Sequence, residues 1–165
     1  MPDVLPDTVV KLAARVVEEN RAAGRRIVLA ESCTGGLVAA ALTEIPGSSA
    51  VLDRAYVTYS NEAKHESLGV SDDIIDTFGA VSVACVYAMA QGALARAAGA
   101  DVAVAISGVA GPDGGSEEKP VGTVVFARLV RGEDKPTAEH RVFSETTRSG
   151  VRLQATLCAL ELLLP

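Results

Sequence analysis

One stretch constrains the fold more than any other. In "RIVLAESCTGGLVAAALTEI", Arg26 to Ile45, a short β-branched apolar run passes through a glutamate, a serine, a cysteine, a threonine and a glycine pair into a helix-like run. The first run has the length and composition of a buried strand, and the second returns to helical composition. A strand feeding a helix through a tight turn is the opening of an α/β unit.

The rest of the chain extends that unit. Upstream, Val9, Val10, Leu12, Ala13, Val16 and Val17 recur at helical spacing, with Gly24 as the stop. Downstream, "RAYVTYS" (54–60) alternates like a strand and "NEAKHESL" follows as a short helix. Ser71 opens "SDDIIDTFG", which places two aspartates at the positive end of a helix that Gly79 closes. Ser82 caps an alanine-rich helix running to about Gly99, and "DVAVAIS" (101–107) is a second buried strand. "GTVVFARLV" and "TAEHRVF" form a hairpin through "RGEDKP", and a final helix runs from about Thr147 to Leu163. This order predicts an α/β fold, a three-layer α/β/α sandwich with a mixed, mostly parallel central sheet. The 165 residues, 48% of them hydrophobic, suffice for one domain (1–165) with a substantial core.

Composition then removes several classes of function. A formal charge of -6 gives no basic surface for direct contact with nucleic acid. Three cysteines without CxxC spacing fit reduced thiols in a cytoplasm, and neither a disulfide framework nor a structural zinc site. The amphipathic start "MPDVLPDTVVKLAARVV" is neither a signal peptide nor a membrane span, so we expect a soluble cytoplasmic protein with no membrane partner. A homodimer is a further expectation, because "LCALELLLP" offers an apolar face for a second copy.

Three segments carry the candidate chemistry. At "SCTGG" a strand ends and a helix starts near Gly35, so unpaired N–H groups and a positive dipole end offer an anion site. Gly35 and Gly36 allow close approach of a ligand, and Ser32 or Thr34 serving only as an ordinary N-cap is the competing reading. The segment matches neither the Walker nor the dinucleotide glycine pattern. In "VTYSNEAKHESLG", Tyr59, Asn61 and Lys64 fall at a strand's carboxyl end and in the following helix. If the first two strands are parallel neighbours, Lys64 reaches Ser32 and can serve as its base, with Tyr59 relaying the proton; a capping Asn61 and a solvated Lys64 are the alternative. Finally "SGVAGPDGGSEEKPVG", Ser107 to Gly122, is too long and glycine-rich for a passive link, and backbone amides near Ser107, Gly108 and Gly111 can hold an oxyanion or phosphate.

The blocks "AESCTGGLVAAALTEIPGSSAVLDRAYVTYSNEAKHESLGV", "GAVS" and "AISGVAGPDGGSEEKPVGTVVFA" resemble the CinA C-terminal domain family, the nicotinamide-nucleotide amidohydrolases, from about Leu12 to the last helix. The resemblance implies hydrolysis of the carboxamide of nicotinamide mononucleotide to nicotinic acid mononucleotide and ammonia, in pyridine-nucleotide recycling, with no metal or organic cofactor. Some members carry a preceding molybdopterin-binding-like domain; this sequence resembles the stand-alone form. Carried over by position, Ser32 is the nucleophile, Lys64 its base and Tyr59 an assistant. Thr34, Gly35, Gly36, Asn61, Ser107, Gly108 and Gly111 line the pocket, and Arg148 or Arg152 in "TRSGVRLQAT" pairs with the phosphate. Ser48 in "IPGSSA" is a rival nucleophile whose ordinary reading is a helix cap, and Cys33 is another. His65 and His140 read as surface groups. A non-catalytic nucleotide-binding or regulatory module, linked to competence or DNA damage, stays open as the alternative function.

Overall fold

The computed structural model describes residues 3–165. Five strands form one sheet in the order β2-β1-β3-β4-β5, namely β1 (Ile27–Glu31), β2 (Leu52–Val57), β3 (Val102–Gly108), β4 (Thr123–Val130) and β5 (Thr137–Val142). β1 pairs in parallel with both β2 and β3, while β4 is antiparallel to β3 and to β5. Four of the five strands therefore run the same way, and the sheet is mixed because β4 alone is reversed.

Period-two alternation along the buried strands splits the core into two layers. Ile27 and Leu29 of β1, with Val102, Val104 and Ile106 of β3, face α1 (Asp7–Ala22), α2 (Leu37–Thr43) and α6 (Arg148–Leu162). Val28 and Ala30, with Ala103 and Ala105, face the other way, against α3 (Asn61–Leu68), α4 (Asp72–Phe78) and α5 (Val83–Arg96). Small alanines on this second face let α5 lie close to the sheet. β5 is largely exposed at the free edge.

Local chemistry sets the element ends that matter for the site. Gly35 and Gly36 have φ of +59° and +96°, outside right-handed helix, so α2 starts at Leu37, two residues later than its sequence predicts. β2 starts at Leu52 and stops at Val57, leaving Thr58, Tyr59 and Ser60 as the crossover into α3. The Ser60 hydroxyl accepts from Ala63 N–H at 3.0 Å and caps α3, while Ser71, Ser82 and Thr147 cap α4, α5 and α6 in the same manner. Ser48 does not cap: Gly47 occupies that position before a short 3-10 turn (Ser48–Ala50), and the Ser48 N–H donates to Ile45 O at 3.1 Å.

Candidate active site

β1 and β2 are parallel neighbours, so Ser32, just beyond β1, and the Thr58–Tyr59 segment, just beyond β2, meet at the carboxyl edge of the sheet. The Ser32 N–H donates to Ile106 O at 3.0 Å, which extends the β1–β3 ladder by one bond and fixes the serine's backbone. One turn into α3, Lys64 points back under the sheet edge and is only 1% exposed. Its Nζ donates to Thr58 O at 2.8 Å, to Ser32 Oγ at 3.0 Å and to Tyr59 O at 3.4 Å. Among the described residues no carboxylate forms an ion pair with it. Burial accordingly pushes the ammonium below its ordinary value of 10.5, toward the neutral amine.

The turn that carries Ser32 is held from two sides. The carboxylate of Glu31, fully buried, folds back onto the start of α2. Its Oε2 accepts from Thr34 Oγ1 at 2.7 Å, Gly36 N at 3.0 Å and Val38 N at 3.3 Å, and its Oε1 accepts from Ala39 N at 2.9 Å. The helix end expected to receive a ligand anion is thus occupied by the chain's own carboxylate, which complements the dipole there. Across the turn Arg152 donates through Nε to Cys33 O at 3.1 Å and through Nη2 to Thr34 O at 3.3 Å. Cys33 is buried, and desolvation raises its thiol to about 11, so it is not a thiolate near neutral pH.

A cleft of about 320 Å³ opens over this edge. Of the residues singled out in the sequence, Ser32, Lys64, Tyr59, Asn61, Ser107, Gly108, Gly111 and Arg148 line it. Thr34, Gly35, Gly36 and Arg152 do not; they build the turn behind it. Ser48 precedes β2, at the opposite end of the sheet, a strand's length from Lys64, and is no part of the site. Tyr59 stands at the rim, 60% exposed, and its hydroxyl bonds Arg148 Nη2 at 2.8 Å. Lys64 meets the Tyr59 carbonyl, so the phenol is not placed as a proton relay. His65 turns away, with Nδ1 on Val70 O at 2.9 Å.

The long loop is a built wall. Val109 N–H donates to Thr123 O and Gly122 N–H to Val109 O, continuing the β3–β4 hairpin past its strands. Lys119 Nζ fastens it to Phe78 O at 2.8 Å, and Arg148 Nη1 fastens Gly111 O at 2.7 Å. A side chain at Gly108 would come within 2.8 Å of Thr123 O, so the close crossing at the cleft floor requires glycine. Cys33, named in the sequence only as a rival nucleophile, also lines the cleft, as do Ala80, Val81, Asp113 and Gly114, to which the sequence assigned no individual role. Glu31 was missed as well, although a carboxylate five residues ahead of a glycine-started helix is a detectable capping signal. The described residues contain no cluster of three or more side chains suited to a metal, and no helix among them is long and apolar enough to cross a membrane.

Fold and cleft define an α/β/α domain with a small open cleft at the carboxyl edge of its sheet, over a buried serine-lysine pair. The chain belongs to the CinA family: the model of the CinA C-terminal domain matches residues 9–165. It is 51% identical over 151 residues to the nicotinamide-nucleotide amidohydrolase PncC of Enterobacter agglomerans, covering 92% of this chain and 90% of that protein. To the protein of the same name from Escherichia coli K12 it is 53% identical over 154 residues, 93% and 91% of the two chains. The crystal structure of competence/damage inducible protein CihA from Agrobacterium tumefaciens superposes with a TM-score of 0.93 at 45% identity, over 98% of this chain and 97% of that one.

Proposed function

We propose that this protein hydrolyses the carboxamide of nicotinamide mononucleotide, releasing nicotinic acid mononucleotide and ammonia, with Ser32 as nucleophile and Lys64 as general base. The single observation that carries the reading is the 3.0 Å contact between Ser32 Oγ and a buried lysine with no carboxylate partner among the described residues. In its neutral form the amine keeps two protons for the Thr58 and Tyr59 carbonyls and turns its lone pair toward the serine hydroxyl. A module that only bound nucleotide would have no need to bury an amine against a serine.

In the first half-reaction the Ser32 proton passes to Lys64 Nζ as Oγ bonds the carboxamide carbon. The oxyanion draws on main-chain N–H groups of the cleft lining, where that of Cys33 has no protein acceptor among the described residues. Collapse breaks the C–N bond, and Lys64 returns its proton to the departing nitrogen, which leaves as ammonia. In the second half-reaction Lys64 takes a proton from water, whose oxygen attacks the acyl carbon. The C–Oγ bond breaks and Ser32 recovers its proton. Arg148, whose guanidinium lines the cleft, is the ligand for the substrate phosphate. The names of the PncC relatives support the substrate, and the cleft volume suits a mononucleotide. Ammonia release from nicotinamide mononucleotide by the purified protein tests the proposal, and a protein that binds the nucleotide without turnover would refute it.

A further inference from the structure

The turn that follows β1 is gripped on both of its polar faces, and each grip comes from an ionisable side chain outside the reacting pair. Glu31 takes up the donors Thr34 Oγ1, Gly36 N and Val38 N on one oxygen and Ala39 N on the other. Arg152, on α6 and 118 to 119 residues away in sequence, takes up the acceptors Cys33 O and Thr34 O. Its Nη2 also packs against Gly35, where an added Cβ would lie 3.4 Å from it. A carbonyl held by a guanidinium fixes the orientation of the next peptide, so binding Cys33 O sets the plane that contains Thr34 N–H. The Glu31 contacts fix the following residues.

We propose that Glu31 and Arg152 are positioning residues for Ser32: together they lock the 32–36 turn so that the serine hydroxyl stays on Lys64 and the Cys33 main chain keeps its place in the cleft lining. The proposal rests on Ser32 being the nucleophile. It withdraws Arg152 from phosphate binding, because its guanidinium is turned onto the Cys33 and Thr34 carbonyls behind the cleft and, unlike Arg148, it is not in the cleft wall. Through its two oxygens Glu31 accepts from all four donors around it, three on Oε2 and one on Oε1. Glutamine in its place sets an NH2 group against a backbone N–H and leaves at least one donor unpaired.

The test compares wild type with Glu31→Gln, Arg152→Met and Arg152→Lys, each checked for cooperative melting. Rates are measured on nicotinamide mononucleotide and on the same compound lacking its phosphate. The rate at which a fluorophosphonate labels Ser32 is followed separately, since it needs an activated serine but no knowledge of the substrate. Expected are a fall in kcat of tenfold or more with KM within about threefold in Glu31→Gln and Arg152→Met, equal losses on both compounds, and labelling slowed in proportion. Arg152→Lys, which keeps one donor group for the two carbonyls, should recover part of the loss. A KM rise in Arg152→Met confined to the phosphorylated compound would make Arg152 a phosphate ligand and overturn the assignment. Labelling at the wild-type rate in Glu31→Gln or Arg152→Met would overturn it too. If Glu31→Gln fails to melt cooperatively, Arg152→Met decides alone. A wild type that is labelled but does not turn over the nucleotide would refute the substrate and leave the positioning claim to the labelling rates; a wild type not labelled at all would refute both.

Discussion

Lys64 Nζ stands 3.0 Å from Ser32 Oγ although 32 residues separate them in the chain. Parallel pairing of β1 with β2 brings the two strand ends together, and the Ser60 cap starts α3 at the one phase that turns Lys64 inward. The contact links secondary structure directly to reactivity, because only a buried, unpaired amine is basic and uncharged enough to take a serine proton near neutral pH.

Lys64→Met replaces the amine with an apolar chain of similar length. Deamidation should fall by a factor on the order of 10² to 10⁴, the usual contribution of a general base. In wild type the rate should rise with pH through the lowered pKa of Lys64 and reach its plateau below 10.5. Stability carries the same signature. Because the folded pKa lies below the unfolded one, the unfolded chain binds the extra proton between them. Lys64 therefore costs most stability below its folded pKa, and the cost fades as pH approaches 10.5. Denaturant unfolding of variant and wild type at a series of pH values should show their difference moving in favour of wild type as pH rises. A difference independent of pH would mean that the lysine is not perturbed.

Cys33 borders Ser32 in the cleft yet should be a bystander. With its thiol raised to about 11, alkylation by iodoacetamide at pH 7.5 should be slow, and Cys33→Ala should keep kcat within a fewfold of wild type. Mass-spectrometric alkylation rates and steady-state kinetics check the two halves.

Much of this was readable from residue types in order. A serine after an apolar strand and a lysine in the next helix-start segment are legible, because strand-end position and helix phase follow from periodicity. The sheet buried on both faces and its final hairpin are legible for the same reason. The failures have a common physical cause, the direction in which a side chain points. Arg148 and Arg152 lie one helical turn apart on α6, yet one reaches Gly111 and Tyr59 in the cleft wall and the other the back of the Ser32 turn. Glu31 was given no role from the sequence, and the structure shows it folded onto the start of α2. Tyr59 contributes its carbonyl to Lys64 and its phenol to Arg148, a division no spacing encodes. Ser48, a rival nucleophile by residue type alone, lies at the wrong end of β2.

Gly92 on α5 is where α3 is seated. An added Cβ would collide with the main-chain carbonyl of Leu68, the last residue of α3. Gly92→Ala should therefore push α3 outward, costing about 1–3 kcal/mol in stability, and should lower activity by retracting Lys64 from Ser32. Calorimetry should show a Tm several degrees lower. An unchanged Tm would mean that the two helices separate without strain.

Arg148 is expected to bind phosphate through the planar fork that now spans Gly111 O and Tyr59 Oη. Arg148→Lys keeps the charge and loses the fork, so KM for the mononucleotide should rise on the order of tenfold or more, as expected for a charge-assisted hydrogen bond of about 1.5–3 kcal/mol. The compound without phosphate should be turned over almost as well by the variant as by wild type, which steady-state kinetics on the pair will show.

The central claim is tested most directly by ammonia release from nicotinamide mononucleotide, assayed for wild type, Ser32→Ala and Lys64→Met, with intact-mass detection of a wild-type acyl-enzyme after rapid acid quench. The claim predicts turnover in wild type, loss of at least a hundredfold in both variants, and an adduct that maps to Ser32. Turnover that survives Ser32→Ala would contradict it.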